Sequence, residues 1–341
     1  MGLSSPSSGD SGSETSVILK MVRQLDANPS LALQLLNHFP VIPEHAREID
    51  VYGLYIRLMD ACNHDEEEIE YIQAKMMDYL SQKTPSLVVH KGALTPDQEI
   101  TGRLYLSMMT HGHIDMNDQV DFEFDRIVKT LHNKINTIVD STGLPPLIQA
   151  ITHAHFPAIH KTLDAIRRNG DSQIMKIDQP SPTYPKGSAL FFACAKGATD
   201  QTSNGNVDQQ KTTTQDPLDT MASVIKKLIE FGASCTKKWD ENENKQDKKA
   251  FSPLEIMFLQ RNTSMVGFMF EHMDHPLTEN ELEDIEALLE EINYLEMKEL
   301  MEDLAPDPIL PGEEEWNYHY DELHACLETA HKHHHQLHHL L

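Results

Sequence analysis

Three short stretches of the sequence hold residue types that could do chemistry. The first, His111-Gly112-His113-Ile114-Asp115, sets two imidazoles and a carboxylate in the H-x-H-x-D order of a binuclear metal hydrolase. That chemistry needs a further His after the Asp and an α/β scaffold. Met116 follows here and no alternating strand–helix pattern surrounds it, so the stretch reads as structural or solvated. The second, Cys62-Asn63-His64-Asp65, is a thiol, an imidazole and a carboxylate in series. A nucleophilic site needs these close in space and usually draws them from distant parts of the chain. Cys62 ends an apolar run (Tyr55, Ile56, Leu58, Met59), which predicts a buried thiol. The third is the tail from His331 to His339, where a helix would put His331, His335 and His338 or His339 on one face. A dedicated metal site adds a carboxylate or thiolate and a supporting shell. The tail is therefore read as an adventitious binder, and no metal, cofactor or catalytic residue is expected. Phosphate loops, G-x-S-x-G and H-E-x-x-H are all absent from the sequence.

The remaining cysteines, Cys194, Cys235 and Cys326, are scattered with no CxxC pair. They read as reduced thiols in a cytosol-like compartment. Asp and Glu total 54 against 28 Lys and Arg, a net charge of -26. Nucleic-acid binding needs a basic face that displaces counterions, and an anionic membrane would repel this chain, so both partners are excluded. A basic patch on a protein partner suits it better. No run of about 18 apolar residues predicts a membrane span. The N-terminus lacks an apolar h-region, which predicts no conventional secretory signal, and Pro6 stands where N-myristoylation wants Ser or Thr.

The elements that must position these residues read as helices. Residues 1–13 are Ser/Gly-rich and expected to be disordered. Residues 14–140 read as a helical N-terminal domain, with a break at Asn28-Pro29-Ser30. Ile69, Ile72, Met76 and Leu80 recur at helical spacing behind an acidic opening. Thr95-Pro96-Asp97-Gln98 joins a cap, a first-turn Pro and a Gln three residues on. Phe124, Ile127, Leu131, Ile135 and Ile138 form a further apolar stripe, read as core.

Three segments of the middle third line up with one another. The first runs from Gly143-Leu144-Pro145-Pro146-Leu147 through Ala150, Ile159 and Leu163 to Gly170. The second runs from Gly187-Ser188-Ala189-Leu190 through Ala193 and Gly197, then resumes at Val224 and ends on Gly232-Ala233. The third runs from Phe251-Ser252-Pro253-Leu254 through Met257 to Phe270. The series resembles the ankyrin repeat, G-x-TPLH-x-A followed by a turn and I-V-x-x-L-L-x-x-G-A. Pro146-Leu147 and Pro253-Leu254 match the TPL core, and Ala150 and Ala193 match the small residue. Gly197 matches the turn glycine, for which the first and third segments have Ala154 and Arg261. The TPLH threonine is missing throughout, and the spacing exceeds the plain repeat's ~33 residues. An Asn/Gln/Thr/Asp-rich insertion, Thr199 to Asp216, accounts for much of the surplus.

The expected fold is all-α: a helical N-terminal domain, a short ankyrin-like helical solenoid over residues 141–275, and C-terminal capping helices with the His-rich tail over 276–341. Thr278 opens a long acidic helix to about Leu304, bearing Leu282, Ile285, Leu288, Leu289, Ile292 and Leu295. A last helix runs from Glu313 to Leu341. The resemblance implies protein binding through a concave side built from the fingers between repeats and the exposed face of each first helix. Carried onto this sequence, the partner-binding residues are Tyr184 and Lys186 on the first finger, and Lys237, Lys238, Trp239 and Lys248 on the second. Trp239 either tucks against the stack or anchors a partner. The chain is also similar to ankyrin-containing effectors that intracellular bacteria inject into host cells, which implies a host protein partner and export from the cytoplasm without a signal peptide. The alternatives are an enzyme whose N-terminal domain is targeted by the repeats, and a structural or self-associating adaptor.

Overall fold

The computed structural model describes residues 46–62, 65–83, 87, 92–112, 114, 120–170, 174–183, 185–197, 220–239, 250–273 and 275–338. The expected disordered start, the Asn28-Pro29-Ser30 break and the Thr199–Asp216 insertion lie outside them. The described residues are helical and contain no strand. None of these helices is long and apolar enough to cross a membrane. The chain divides into two compact units, residues 1–141 with 161–174, and residues 142–160 with 175–341.

The first unit contains α1 (Glu48–Ala61), α2 (Glu66–Lys83), α3 (Pro96–His111) and α4 (Asp121–Leu131), which tightens into a 3-10 turn, His132–Thr137. Helix α3 is its centre and packs against α1, α2 and α4. Its start is built as the sequence predicts: Thr95 Oγ1 accepts from Gln98 N–H at 3.2 Å, and Gln98 Oε1 accepts from Thr95 N–H at 3.2 Å. Gly112, left-handed at φ 64°, ends it. Ile100, Leu104, Tyr105 and Met108 fill the core with Tyr52 and Leu58 of α1, Ile72, Met76 and Leu80 of α2, and Phe124, Ile127 and Leu131 of α4. Both expected apolar stripes are thus core, apart from half-buried Ile69.

Helix α6 (Phe156–Arg168) gives Phe156–His160 to the second unit and the rest to the first. In the first unit Lys161 pairs with Asp121 at 3.0 Å and Arg168 with Asp125 at 3.0 Å. The Lys161 hydrogen bond holds the Asp121 carboxyl below its usual range.

The second unit begins with α5 (Pro146–Thr152) and continues with α7 (Ala189–Lys196), α8 (Met221–Glu230), α9 (Pro253–Leu259) and α10 (Thr263–His272). Helix α7 packs between α5 and α9, α8 packs on α7, and α10 packs on both α9 and α8. Pro146 and Pro253 sit in the first turn, where the missing N–H costs nothing. Ser188 and Ser252 cap α7 and α9 by accepting from N–H groups three residues on. Val224, Ile225, Leu228 and Ile229 turn the apolar side of α8 inward.

The short helices stop in a repeated way. Ala154 N–H donates to Ile151 O at 3.0 Å and His155 N–H to Ala150 O at 2.8 Å. Arg261 N–H donates to Phe258 O and Asn262 N–H to Met257 O, each at 3.0 Å. Ala154 and Arg261 are both left-handed, at φ 55° and 52°. Gly197 follows α7 at φ 92° and donates to Cys194 O at 3.0 Å. Gly232-Ala233 ends α8 with the same pair of bonds, to Ile229 O and Leu228 O.

Two helices replace the single one expected after Thr278: α11 (Glu279–Glu291) and α12 (Tyr294–Leu304). The physical reason is local. Asn293 takes the side-chain cap and forms a reciprocal pair with Glu296, so a new helix starts there. Leu282, Ile285, Leu288 and Leu289 are buried, but Leu295 beyond the break is 69% exposed. Helix α11 packs on α9, and α12 returns to pack on α7. The last expected helix is also two, α13 (Glu313–Tyr318) and α14 (Tyr320–His338), and α14 packs on α11.

Candidate partner-binding surface

Of the second finger, Thr236 to Ala250, residues 236–239 and 250 are described and carry no helix. Lys237 and Trp239 meet, with the ammonium 4.1 Å from the centroid of the Trp239 ring. Lys238 turns the other way, into the fold. Its Nζ is 2.8 Å from Glu255 Oε1 of α9 and 2.6 Å from Asp284 Oδ2 of α11. Burial alone would lower the Lys238 pKa. The hydrogen bonds to Asp284 and Glu255 outweigh it, and the net shift is upward. Glu255 is 2% exposed and also accepts from Ser252 N–H at 2.7 Å, so Lys238 is the cation that lets a carboxylate sit at the start of α9.

Lys237 is exposed and Trp239 half-buried. The Trp239 Nε1 atom is enclosed and has no hydrogen-bond partner among the described residues. Lys186 on the first finger is half-buried. Tyr184 and Lys248 lie outside the described residues.

The first helices do not offer the free faces expected of them. Every residue from Ala189 to Ala195 in α7 and from Pro253 to Leu259 in α9 is buried. Helix α12 lies on α7 and α11 on α9, and they take up those faces. The segment after α12 closes on the end of α7: Ile309 N–H donates to Lys196 O at 2.7 Å, and Lys196 Nζ donates to Pro306 O at 2.7 Å. A Cβ at residue 197 would collide with the backbone oxygen of Ile309, so glycine is required there twice over, for φ and for room. The end of α9 is covered in the same manner. Trp316 Nε1 donates to Leu259 O at 2.7 Å, and Arg261 Nη1 donates to Trp316 O at 3.2 Å.

The groups singled out for catalysis sit in the first unit. Cys62 is buried and its Sγ donates to Leu58 O at 3.1 Å. Burial, helped by Glu68 and Asp65, pushes its pKa up to about 11, so it stays a thiol at neutral pH and makes a poor nucleophile. His111 Nδ1 lies 2.8 Å from Glu48 Oε1 and 3.2 Å from Ser107 Oγ. A serine relay uses opposite ring nitrogens for the hydroxyl and the carboxylate. Here both approach Nδ1, which is the geometry of a pinned side chain. His64, His113 and Asp115 lie outside the described residues.

Sequence reasoning missed Glu255 and Asp284 as partners of Lys238. Glu255 had a signal, because Ser252-x-x-Glu255 is a capping box. Asp284 had none, since its pairing depends on α11 packing across α9. No family model, curated protein or solved structure matches this chain.

Proposed function

We propose that this chain is a protein-binding module with an ankyrin-type stack of helix pairs over residues 141–275, engaging its partner through the second finger at Lys237 and Trp239. One observation carries the reading. Ala154 and Arg261, two of the three positions aligned as the repeat's turn glycine, hold φ 55° and 52° and repeat the same pair of backbone hydrogen bonds; Gly197, the third, shares the positive φ but not the second bond. Ala and Arg tolerate that conformation at a cost of ~1 kcal/mol or more, so a repeated chain path, rather than residue preference, accounts for it. Helices α5, α7 and α9 succeeding one another in contact fits the same reading.

The finger, not the first-helix row, is the docking element, because α12 and α11 cover α7 and α9 of that row. Lys237 over Trp239 is an aromatic–cation pair at a loop, the kind of group that anchors interfaces. Lys238 ties the finger to α9 and α11 from behind. On the resemblance to bacterial effectors the partner is a host protein.

The test is capture from eukaryotic lysate by the full chain and by a Lys237→Ala/Trp239→Ala variant with unchanged circular dichroism. A partner held by the first, lost by the second and retained by a Lys75→Ala control supports the reading. Partners retained by the double variant would remove the finger from the interface.

A further inference from the structure

We propose that Glu286 and Glu290 of α11 and His324 of α14 hold a divalent transition-metal ion of the zinc type. One ligand atom from each of the three residues lies within 4.8 Å of the others. Glu286 and Glu290 are one turn apart and share a face of α11. Helix α14 packs on that helix, with Leu323 and Leu327 buried beside His324 in sequence and Leu282, Ile285 and Leu289 buried on α11. The donors thus stand on two helices that the core already holds together.

The donor set selects the metal. One imidazole nitrogen with two carboxylate oxygens suits zinc and its transition-metal neighbours, whereas magnesium and calcium take oxygen alone. Three protein donors leave a coordination position for water or a fourth side chain. His331 lies two turns on from His324 on the same helix. Its Nε2 is 3.8 Å from Glu286 Oε2, too far for a hydrogen bond. The atom is nevertheless closed off from solvent and has no hydrogen-bond partner among the described residues. An imidazole nitrogen so placed is accounted for if it faces a metal or the carboxylate that binds one. The His-rich tail lacks a carboxylate of its own. Helix α11 supplies two, and His324 lies upstream of the tail.

The experiment uses the full-length chain with His333, His334, His335, His338 and His339 changed to Gln, which removes the terminal tract and keeps the site. Zinc is titrated by calorimetry, and cobalt absorption reports the ligand type. One equivalent should bind, cobalt should show mixed nitrogen and oxygen ligation, and His324→Ala or Glu290→Gln in this background should weaken binding at least about 10-fold. Zinc should also raise the thermal midpoint of the parent and not of His324→Ala. No zinc binding once the tail is neutralised would overturn the proposal. Binding unaffected by both His324→Ala and Glu290→Gln would overturn it equally. Circular dichroism of each variant separates lost ligands from lost fold.

Discussion

The guanidinium carbon of Arg261 stands 3.2 Å from the centroid of the Trp316 ring. A residue just past the end of α9 is thereby stacked on the helix that follows the Pro306–Pro311 break. Arg261 Nη1 also donates to Trp316 O, and Trp316 Nε1 donates to Leu259 O, so the two residues tie the end of α9 to α13 at three points. Trp316→Phe keeps a ring under the guanidinium but leaves the buried Leu259 carbonyl without that donor. It should destabilise the protein by ~1–3 kcal/mol. Urea unfolding measures this, and an unchanged midpoint would show the bond to be immaterial.

Ala154→Gly should stabilise. Ala154 holds φ 55°, a conformation that costs a side-chain-bearing residue about 1–2 kcal/mol and glycine almost nothing. Glycine's extra freedom in the unfolded chain takes back part of that, leaving a gain of roughly 0.5–1 kcal/mol. The readout is a raised urea midpoint at constant m value. A lowered midpoint would mean that the Ala154 methyl makes contacts worth more than the strain.

Lys238→Met removes the cation from a carboxylate that is 2% exposed. Glu255 keeps its bond from Ser252 N–H, so the cost should be ~1–3 kcal/mol rather than that of a wholly orphaned charge. Adding Glu255→Gln should recover part of it, and the double-mutant cycle gives the coupling. Additive effects would show that the pair is not coupled.

The His111–Glu48 pair gives a pH dependence. The hydrogen bond to Glu48 outweighs burial and raises the His111 pKa above 6.5. A raised folded pKa means the contribution is fully present below about pH 6.5 and is lost as pH rises through the higher folded value. His111 is partly exposed, so the effect should stay below about 1 kcal/mol. The urea midpoint of the parent should fall between pH 5.5 and 8 by more than that of Glu48→Gln. Equal slopes would sink this assignment.

Much of the architecture was legible from local signals. The Thr95–Gln98 box, the prolines at 146 and 253, the Gly232-Ala233 stop and the apolar stripe of α4 are all short-range features, and the structure uses each of them. The break at Asn293 was legible too, since Asn293-x-x-Glu296 is a cap signal, but the continuing run of Ile292 and Leu295 masked it. What the sequence could not show were the pairings between distant helices. The turn of Lys238 toward Asp284, the left-handed Arg261 under Trp316 and the burial of α7 beneath α12 depend on tertiary packing, for which periodicity carries no signal. The same holds for the acidic pair of α11 facing His324.

The bond from Lys196 to Pro306 spans 110 residues. A nascent chain would present α7, with its seven buried apolar side chains, long before the segment that covers them has been made. Until then α5, α8 and α9 shield it, and the side that α12 covers stays open. Once closed, the middle cannot loosen without releasing the C-terminal segment, so a nick or deletion near Pro306 should be felt at α7 rather than at the break alone.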